Sequence, residues 1–206
     1  MSEQNNINLL NKIIRVLVVD DSAFIRKVMK EMLSKSPFIE VVGTAVNGKD
    51  ALEKVEELNP DVITLDLIMP DMDGISFLIE QMKRKPIPTV ICSIASETGE
   101  LALKALELGA VDFIQKPTAL ATEKVYEISD ELIEKVKAAS LVNLAEVKKI
   151  ILEPSKEKFE FDKPIIKTNF DIICIGVSTG GPQALKSLIP LLPKDFPIPI
   201  AIVLHM

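Results

Sequence analysis

The sequence predicts an α/β protein: a doubly wound, five-stranded parallel sheet, then a linker, then the first β-α-β unit of a second doubly wound sheet. Three observations lead there. Five short β-branched runs alternate with stretches of helical period through the first 139 residues. Polar and acidic residues stand where those runs stop. A strand pattern resumes at Ile172, after a charged and proline-bounded stretch, and runs into a glycine-rich turn.

The elements follow in order. Ile14 to Val19 is a β-branched run that stops at Asp20-Asp21. Ser22 is a helix cap, and Ile25, Val28, Met29, Met32 and Leu33 recur on one helical face. Ile39 to Thr44 is the second strand, and Asn47 opens a helix through Leu52, Val55 and Leu58. Val62 to Leu65 is the third strand and stops at Asp66; Gly74 to Met82 is helical, with Phe77 and Leu78 inward. Thr89 to Ser93 is the fourth strand, followed by a helix through Leu101, Ala105 and Leu108. Val111 to Gln115 is the fifth strand, ending at Lys116-Pro117, and a helix from Thr122 to Ala139 carries Val125, Ile128, Leu132 and Val136 on one face. Strands this apolar on both sides belong in a parallel sheet covered by helices on both faces.

Composition narrows the function. Hydrophobic residues make up 48% of the 206, enough for a sizeable core. The formal net charge of -6 has the wrong sign for a nucleic-acid surface, and no helix-turn-helix or basic recognition helix follows the linker. Cys92 and Cys174 each sit in an apolar strand pattern without metal-ligand spacing, so both read as buried free thiols of a reducing compartment. No basic-then-apolar leader and no run of membrane-spanning length is present, which predicts a cytoplasmic protein without direct membrane insertion.

In open parallel sheets, ligands bind beyond the carboxyl ends of the strands. Asp20, Asp21, Asp66, Ser93 and Lys116 all fall there. Each alone reads as a turn or helix-start residue; together they read as a site. Crowded carboxylates repel unless a cation joins them, and oxygen-only ligands favour a hard ion such as Mg²⁺. The lysine and the serine hydroxyl suit a phosphoryl group, and Asp66 becomes a candidate nucleophile toward phosphorus.

Residues 13 to about 139 resemble the receiver (flavodoxin-like) domain of two-component response regulators. The resemblance rests on Val18-Val19-Asp20-Asp21-Ser22, on Asp66-Leu67-Ile68-Met69-Pro70-Asp71-Met72-Asp73-Gly74 and on Phe113-Ile114-Gln115-Lys116-Pro117. It implies that Asp66 accepts a phosphoryl group from a histidine kinase. Asp20, Asp21, Asp66 and the backbone carbonyl of Ile68 would hold Mg²⁺, Ser93 and Phe113 would rearrange on phosphorylation, and Lys116 would touch the phosphoryl group. The Lys116-Pro117 bond would be cis. Ile94 departs from the small residue usual in the family after the switch hydroxyl, so slower phosphoryl transfer is expected.

From Ser140 to Asn169 the pattern loosens into a linker, with Pro154 ending any helix over 144–150. Beyond it, Gly176, Gly180 and Gly181 permit a sharp strand-to-helix turn, and Pro182 suits a first helical turn. Ala184, Leu185, Leu188 and Ile189 form the apolar side of the helix, and Ile200 to Leu204 is the next strand. Gly176-Val177-Ser178-Thr179-Gly180 has nucleophile-elbow spacing, and His205, the single histidine, closes the neighbouring strand. Ser178 as a simple helix cap competes with that reading. So does a phosphate loop, although the Walker lysine is missing.

Residues 171 to 206 resemble the start of the catalytic domain of the chemotaxis protein-glutamate methylesterases, the CheB family. The residues that carry this are Ile175-Gly176-Val177-Ser178-Thr179-Gly180-Gly181-Pro182, Leu192-Pro193 and Val203-Leu204-His205-Met206. The domain order then reads 1–139 receiver, 140–169 linker, and 170–206 opening fragment of the esterase domain. The resemblance assigns Ser178 as nucleophile and His205 as its base, on methyl-accepting chemotaxis receptors as substrate, with receptor glutamines deamidated by the same chemistry. The chemotaxis histidine kinase would be the phosphodonor. The family's orienting aspartate has no place before Met206, so the chain as given is expected to be inactive as an esterase. A stand-alone phospho-receiver that binds partners, with an inert tail, is the competing expectation.

Overall fold

The computed structural model describes residues 12–93, 99–116, 122–142, 144, 170–178 and 181–204. Five strands form one parallel sheet in the order β2-β1-β3-β4-β5: β1 Ile14–Val19, β2 Ile39–Ala45, β3 Val62–Leu65, β4 Thr89–Ser93 and β5 Asp112–Gln115. Between them run α1 Ala23–Leu33, α2 Gly48–Leu58, α3 Gly74–Arg84 and α4 Gly99–Leu108, and α5 Thr122–Ser140 follows β5.

The side-chain period of two splits the sheet's core in half. Leu17, Val19, Ile63, Leu65 and Ile91 face α2, α3 and α4, where they meet Ala51, Val55, Phe77, Leu78, Ala102 and Ala105. Val16, Val18, Val62, Val90 and Cys92 face the other way, onto Met29, Met32 and Leu33 of α1 and Leu132, Ile133 and Val136 of α5. Burial on both faces explains why these strands read as unbroken apolar runs. Ser22 caps α1 by accepting from the Ile25 N–H, and Asn47 caps α2 by accepting from the Asp50 N–H. Among the described residues no helix is long and apolar enough to cross a membrane.

Two stretches differ from expectation. The pairing of β1 with β2 shifts between Val16 and Leu17, so Val41 and Gly43 are successive partners and the second strand runs on to Ala45. The fifth strand starts at Asp112, although the Val111 N–H already donates to the Thr89 carbonyl.

A separate two-stranded parallel sheet pairs β6 Ile173–Val177 with β7 Ile200–Leu204. They are joined by α6 Gly181–Leu188 and a 3₁₀ turn Ile189–Leu191, and α6 lies alongside α4. Here the expectation of a buried Cys174 thiol is corrected. Residues along β6 alternate between half-buried and exposed, and Cys174 is exposed while Cys92 is buried. One helix covers one face of two strands; among the described residues nothing covers the other. Ile172, Leu191 and Val203 are accordingly more than half exposed. The expected helix over 144–150 lies outside the described residues, apart from Leu144, which packs against the α1/α5 half of the core.

The two units should respond differently to truncation. Phe77 is fully buried, so Phe77→Ala should lower stability in urea by about 3–5 kcal/mol. Ile202 is 40% exposed, and Ile202→Ala should stay within about 1 kcal/mol of the parent in the same titration.

Candidate functional site

Four of the five strands of the large sheet, β1, β3, β4 and β5, hand a polar residue to the same edge, and the backbone ladder fixes where. The Asp20 N–H donates to the Ala45 carbonyl, the Asp66 N–H to Val19 (2.9 Å) and the Lys116 N–H to Ser93 (2.9 Å). These bonds extend the sheet one rung past its regular strands. They place Asp20, Asp66 and Lys116 beside each other, with Ser93 closing β4.

Asp20, Asp66, Ser93 and Lys116 are buried, while Asp21 is exposed. One carboxylate oxygen from each of Asp20, Asp21 and Asp66 lies within 4.8 Å of the others. Lys116 Nζ sits between two of them, 2.6 Å from Asp20 Oδ2 and 2.7 Å from Asp66 Oδ2. The remaining oxygens are steered by the chain itself. Asp20 Oδ1 accepts from the Ser22 N–H (2.9 Å), and Asp66 Oδ1 accepts from the Ile68 N–H (3.4 Å). Ile68 itself is exposed, and Phe113 is half-buried against the α2/α3/α4 side of the core.

Two buried acids share one buried base, so the charges do not balance. Burial pushes the Asp66 carboxyl above its ordinary range, and the repulsion from Asp20 adds to this against the pull of Lys116. Burial alone would lower the Lys116 ammonium, but its bonds to Asp20 and Asp66 outweigh burial and raise it. An oxygen-only cluster that already seats an ammonium is chemically suited to a hard divalent cation.

The loop bearing Asp66 is held from below. A Cβ at Gly74 would lie 2.2 Å from the Asp66 carbonyl oxygen, so only glycine lets α3 start this close. Asp73 caps α3 by accepting from the Ser76 N–H (2.7 Å). Asn47 Nδ2 donates to Asp71 Oδ2 (3.0 Å), and the Gly48 N–H donates to the Met72 carbonyl (3.0 Å). Asn47 and Asp71 brace the loop beside the site without standing at a strand end. Strand-end reasoning therefore passes over them. Asn47 is the cap of α2, and Asp71 adopts a φ of 63°, a conformation that aspartate accepts more readily than most residues.

In the small sheet, Ser178 is exposed just past β6, and its carbonyl accepts from the Gly181 N–H (2.7 Å) as α6 begins. A Cβ at Gly181 would lie 2.3 Å from Val177 Cβ, so the turn at Ser178 depends on this glycine. Val177 pairs with Leu204, the last rung before Ser178 and His205 in sequence. His205, Ile94 and Pro117, with the expected cis bond, lie outside the described residues.

Residues 16–125 match the response regulator receiver domain family, and residues 173–206 match the CheB methylesterase family. The chain is 50% identical over 197 residues to a protein-glutamate methylesterase/protein-glutamine glutaminase of Halalkalibacterium halodurans, covering 94% of this chain and 55% of that protein. The chain belongs to the CheB family. A second CheB-family relative, from Myxococcus xanthus, is 48% identical over 94% of this chain and 55% of its own length. The chain thus spans about half the length of the curated relatives it matches. Among solved structures, the response regulator domain of Thermotoga maritima CheB is similar with a TM-score of 0.59 and 44% identity, covering 64% of this chain and 99% of that one. The receiver domain of NarL from Mycobacterium tuberculosis is similar with a TM-score of 0.52 and 31% identity, over 61% and 98%. The five-stranded sheet is therefore a CheB-family receiver domain, and β6-α6-β7 falls in the part matching the methylesterase.

The charge imbalance gives a signed prediction. Asp66→Asn should raise stability at pH 7, because Lys116 keeps a partner in Asp20 and one buried charge is gone. A carboxyl whose folded pKa is raised binds its proton more tightly in the folded state, so the parent is relatively more stable at low pH. The gain from Asp66→Asn should therefore vanish below about pH 4. Lys116→Met leaves two facing carboxylates and should cost roughly 3–5 kcal/mol at pH 7. Urea titrations of both variants across pH check these signs.

Proposed function

We propose that this chain carries the phosphorylation switch and the Ser/His portion of a phosphorylation-activated protein-glutamate methylesterase and glutamine deamidase. In this reading residues 1–139 are the switch, 140–169 a linker and 170–206 the opening of the catalytic domain. The convergence of Asp20, Asp21 and Asp66 around a buried lysine carries the first half of the proposal. The match of both parts of the chain, in one order, to CheB-family proteins supports the second.

Asp66 is the proposed phosphoacceptor. Its carboxylate oxygen attacks phosphorus in line, the N–P bond of a kinase phosphohistidine breaks, and the imidazole leaves. Asp20, Asp21, Asp66 and the Ile68 carbonyl would hold Mg²⁺, which when bound supplies neutralising charge at the transferring oxygens. Lys116 then exchanges its bond to Asp66 for one to the phosphoryl group. Ser93 and Phe113, on adjacent strands, are the proposed relay into the β4–α4 side. In the complete enzyme, Ser178 would attack the γ-methyl ester of a receptor glutamate. His205 takes the serine proton and gives it to the departing methoxide, so methanol leaves. Water, deprotonated by His205, then releases the receptor carboxylate and restores Ser178; with a glutamine, ammonia leaves instead. The substrate class is the methyl-accepting chemotaxis receptor, the phosphodonor a chemotaxis histidine kinase, and the setting the cytoplasm. The position of α4 beside α6 supports regulation by contact: Ser178 is exposed in this chain, and in the full-length enzyme the unphosphorylated receiver would cover the Ser178 region, with phosphorylation loosening it.

Incubation with acetyl phosphate and Mg²⁺ should add one phosphoryl group by intact mass, and Asp66→Ala should remove the adduct. An equal adduct on Asp66→Ala would defeat the assignment. Mg²⁺ at 100 times its dissociation constant should stabilise the fold by about 2.7 kcal/mol in a thermal melt, with the shift abolished by Asp21→Asn. In a protein extended to the full length of the relatives, acetyl phosphate should raise methylesterase rate. Ser178→Ala should abolish activity without changing phosphorylation.

A further inference from the structure

We infer that Arg26 is a positioning residue for the cation site, holding the acidic loop in its ligating shape from one helical turn away. The inference rests on the reading of Asp20, Asp21 and Asp66 as a Mg²⁺ site. Arg26 Nη1 donates to the backbone carbonyls of both Asp20 (2.8 Å) and Asp21 (3.0 Å). Those are the two residues whose carboxylates enter the cluster from the β1–α1 loop.

Local geometry makes this the natural use of the side chain. The Arg26 N–H donates to the Ser22 carbonyl in the first turn of α1. Long helical side chains lean toward the helix N-terminus, so a guanidinium at this position reaches back over the loop that precedes Ser22. Arginine's planar fork keeps its charge and bonds two acceptors with one group. Asp20 is also tied through its carboxylate to the Ser22 N–H and Lys116. Asp21 is not: its carboxylate is exposed, and the bond from Arg26 is what fixes its carbonyl. Arg26 therefore acts mainly on the direction in which the Asp21 carboxylate leaves the backbone.

An electrostatic role predicts the opposite sign. A guanidinium next to the cluster repels a divalent cation, so a residue acting by charge alone would weaken Mg²⁺ binding, and its removal would tighten it. A residue acting by position does the reverse. Bonds to two carbonyls are short-range and specific, whereas the repulsion crosses a half-exposed rim where water screens it. Position should win.

The test is calorimetric titration of MgCl₂ into the full chain, alongside urea titrations in chelator. Arg26→Met should weaken Mg²⁺ binding about tenfold, or about 1.4 kcal/mol. Arg26→Lys, with charge kept but a single reaching ammonium, should recover part of that loss. Amide signals of Asp21 and Ser22 in the metal-free protein should broaden or shift in Arg26→Met and return toward the parent in Arg26→Lys. Unchanged or tighter binding in Arg26→Met would overturn the inference while leaving the site intact, provided the parent binds and Asp21→Asn does not. A shift in the urea midpoint with an unchanged dissociation constant would also overturn it, since that is what a purely structural arginine gives. Failure of the parent to bind Mg²⁺ would overturn the reading of the site, and this inference with it.

Discussion

The buried ammonium of Lys116 between Asp20 and Asp66 is the constraint around which the site is organised. Two carboxylates at the edge of a sheet would push their strands apart or take up protons. One lysine at the end of β5 offsets part of that and ties three strand ends, β1, β3 and β5. It leaves a residual negative charge. An edge held closed by a lysine and still one charge short is chemically suited to a divalent ion. Stability and the proposed chemistry draw on one interaction here, and two buried acids against one buried base are a poor choice for stability alone.

Much of the large sheet was legible in the sequence because both its faces are covered. Val16 to Val19 or Val62 to Leu65 can be placed without a partner in view, since an unbroken β-branched run has few other uses. The site residues were legible for a related reason. A strand that stops at an aspartate in a parallel sheet delivers that aspartate to the one edge where ligands collect. The contacts between them were not. Nothing in the run Phe113 to Lys116 says that the lysine lies nearly equidistant from two acids, or that Arg26 bonds backbone rather than solvent.

The small sheet shows the opposite case. Its strands have the composition of buried ones, and Cys174 reads as buried in sequence yet is exposed in the fold. Composition reports what a strand is suited to pack against, not what is present. Two strands and a short helix supply one covered face, and the alternation along β6 records that. The turn at Ser178 was better determined, because it depends on a local fact: no side chain fits at Gly181 against Val177.

The missing side chain at Gly74 has a mechanical meaning. With the start of α3 pressed against the Asp66 carbonyl, the floor beneath that residue cannot compress. Anything that enlarges the group at Asp66 must be accommodated upward or sideways. The Gly48 N–H bond to the Met72 carbonyl ties the same loop to the start of α2. A single absent methyl thus works as an anvil, setting the start of α3 hard against the backbone that carries Asp66.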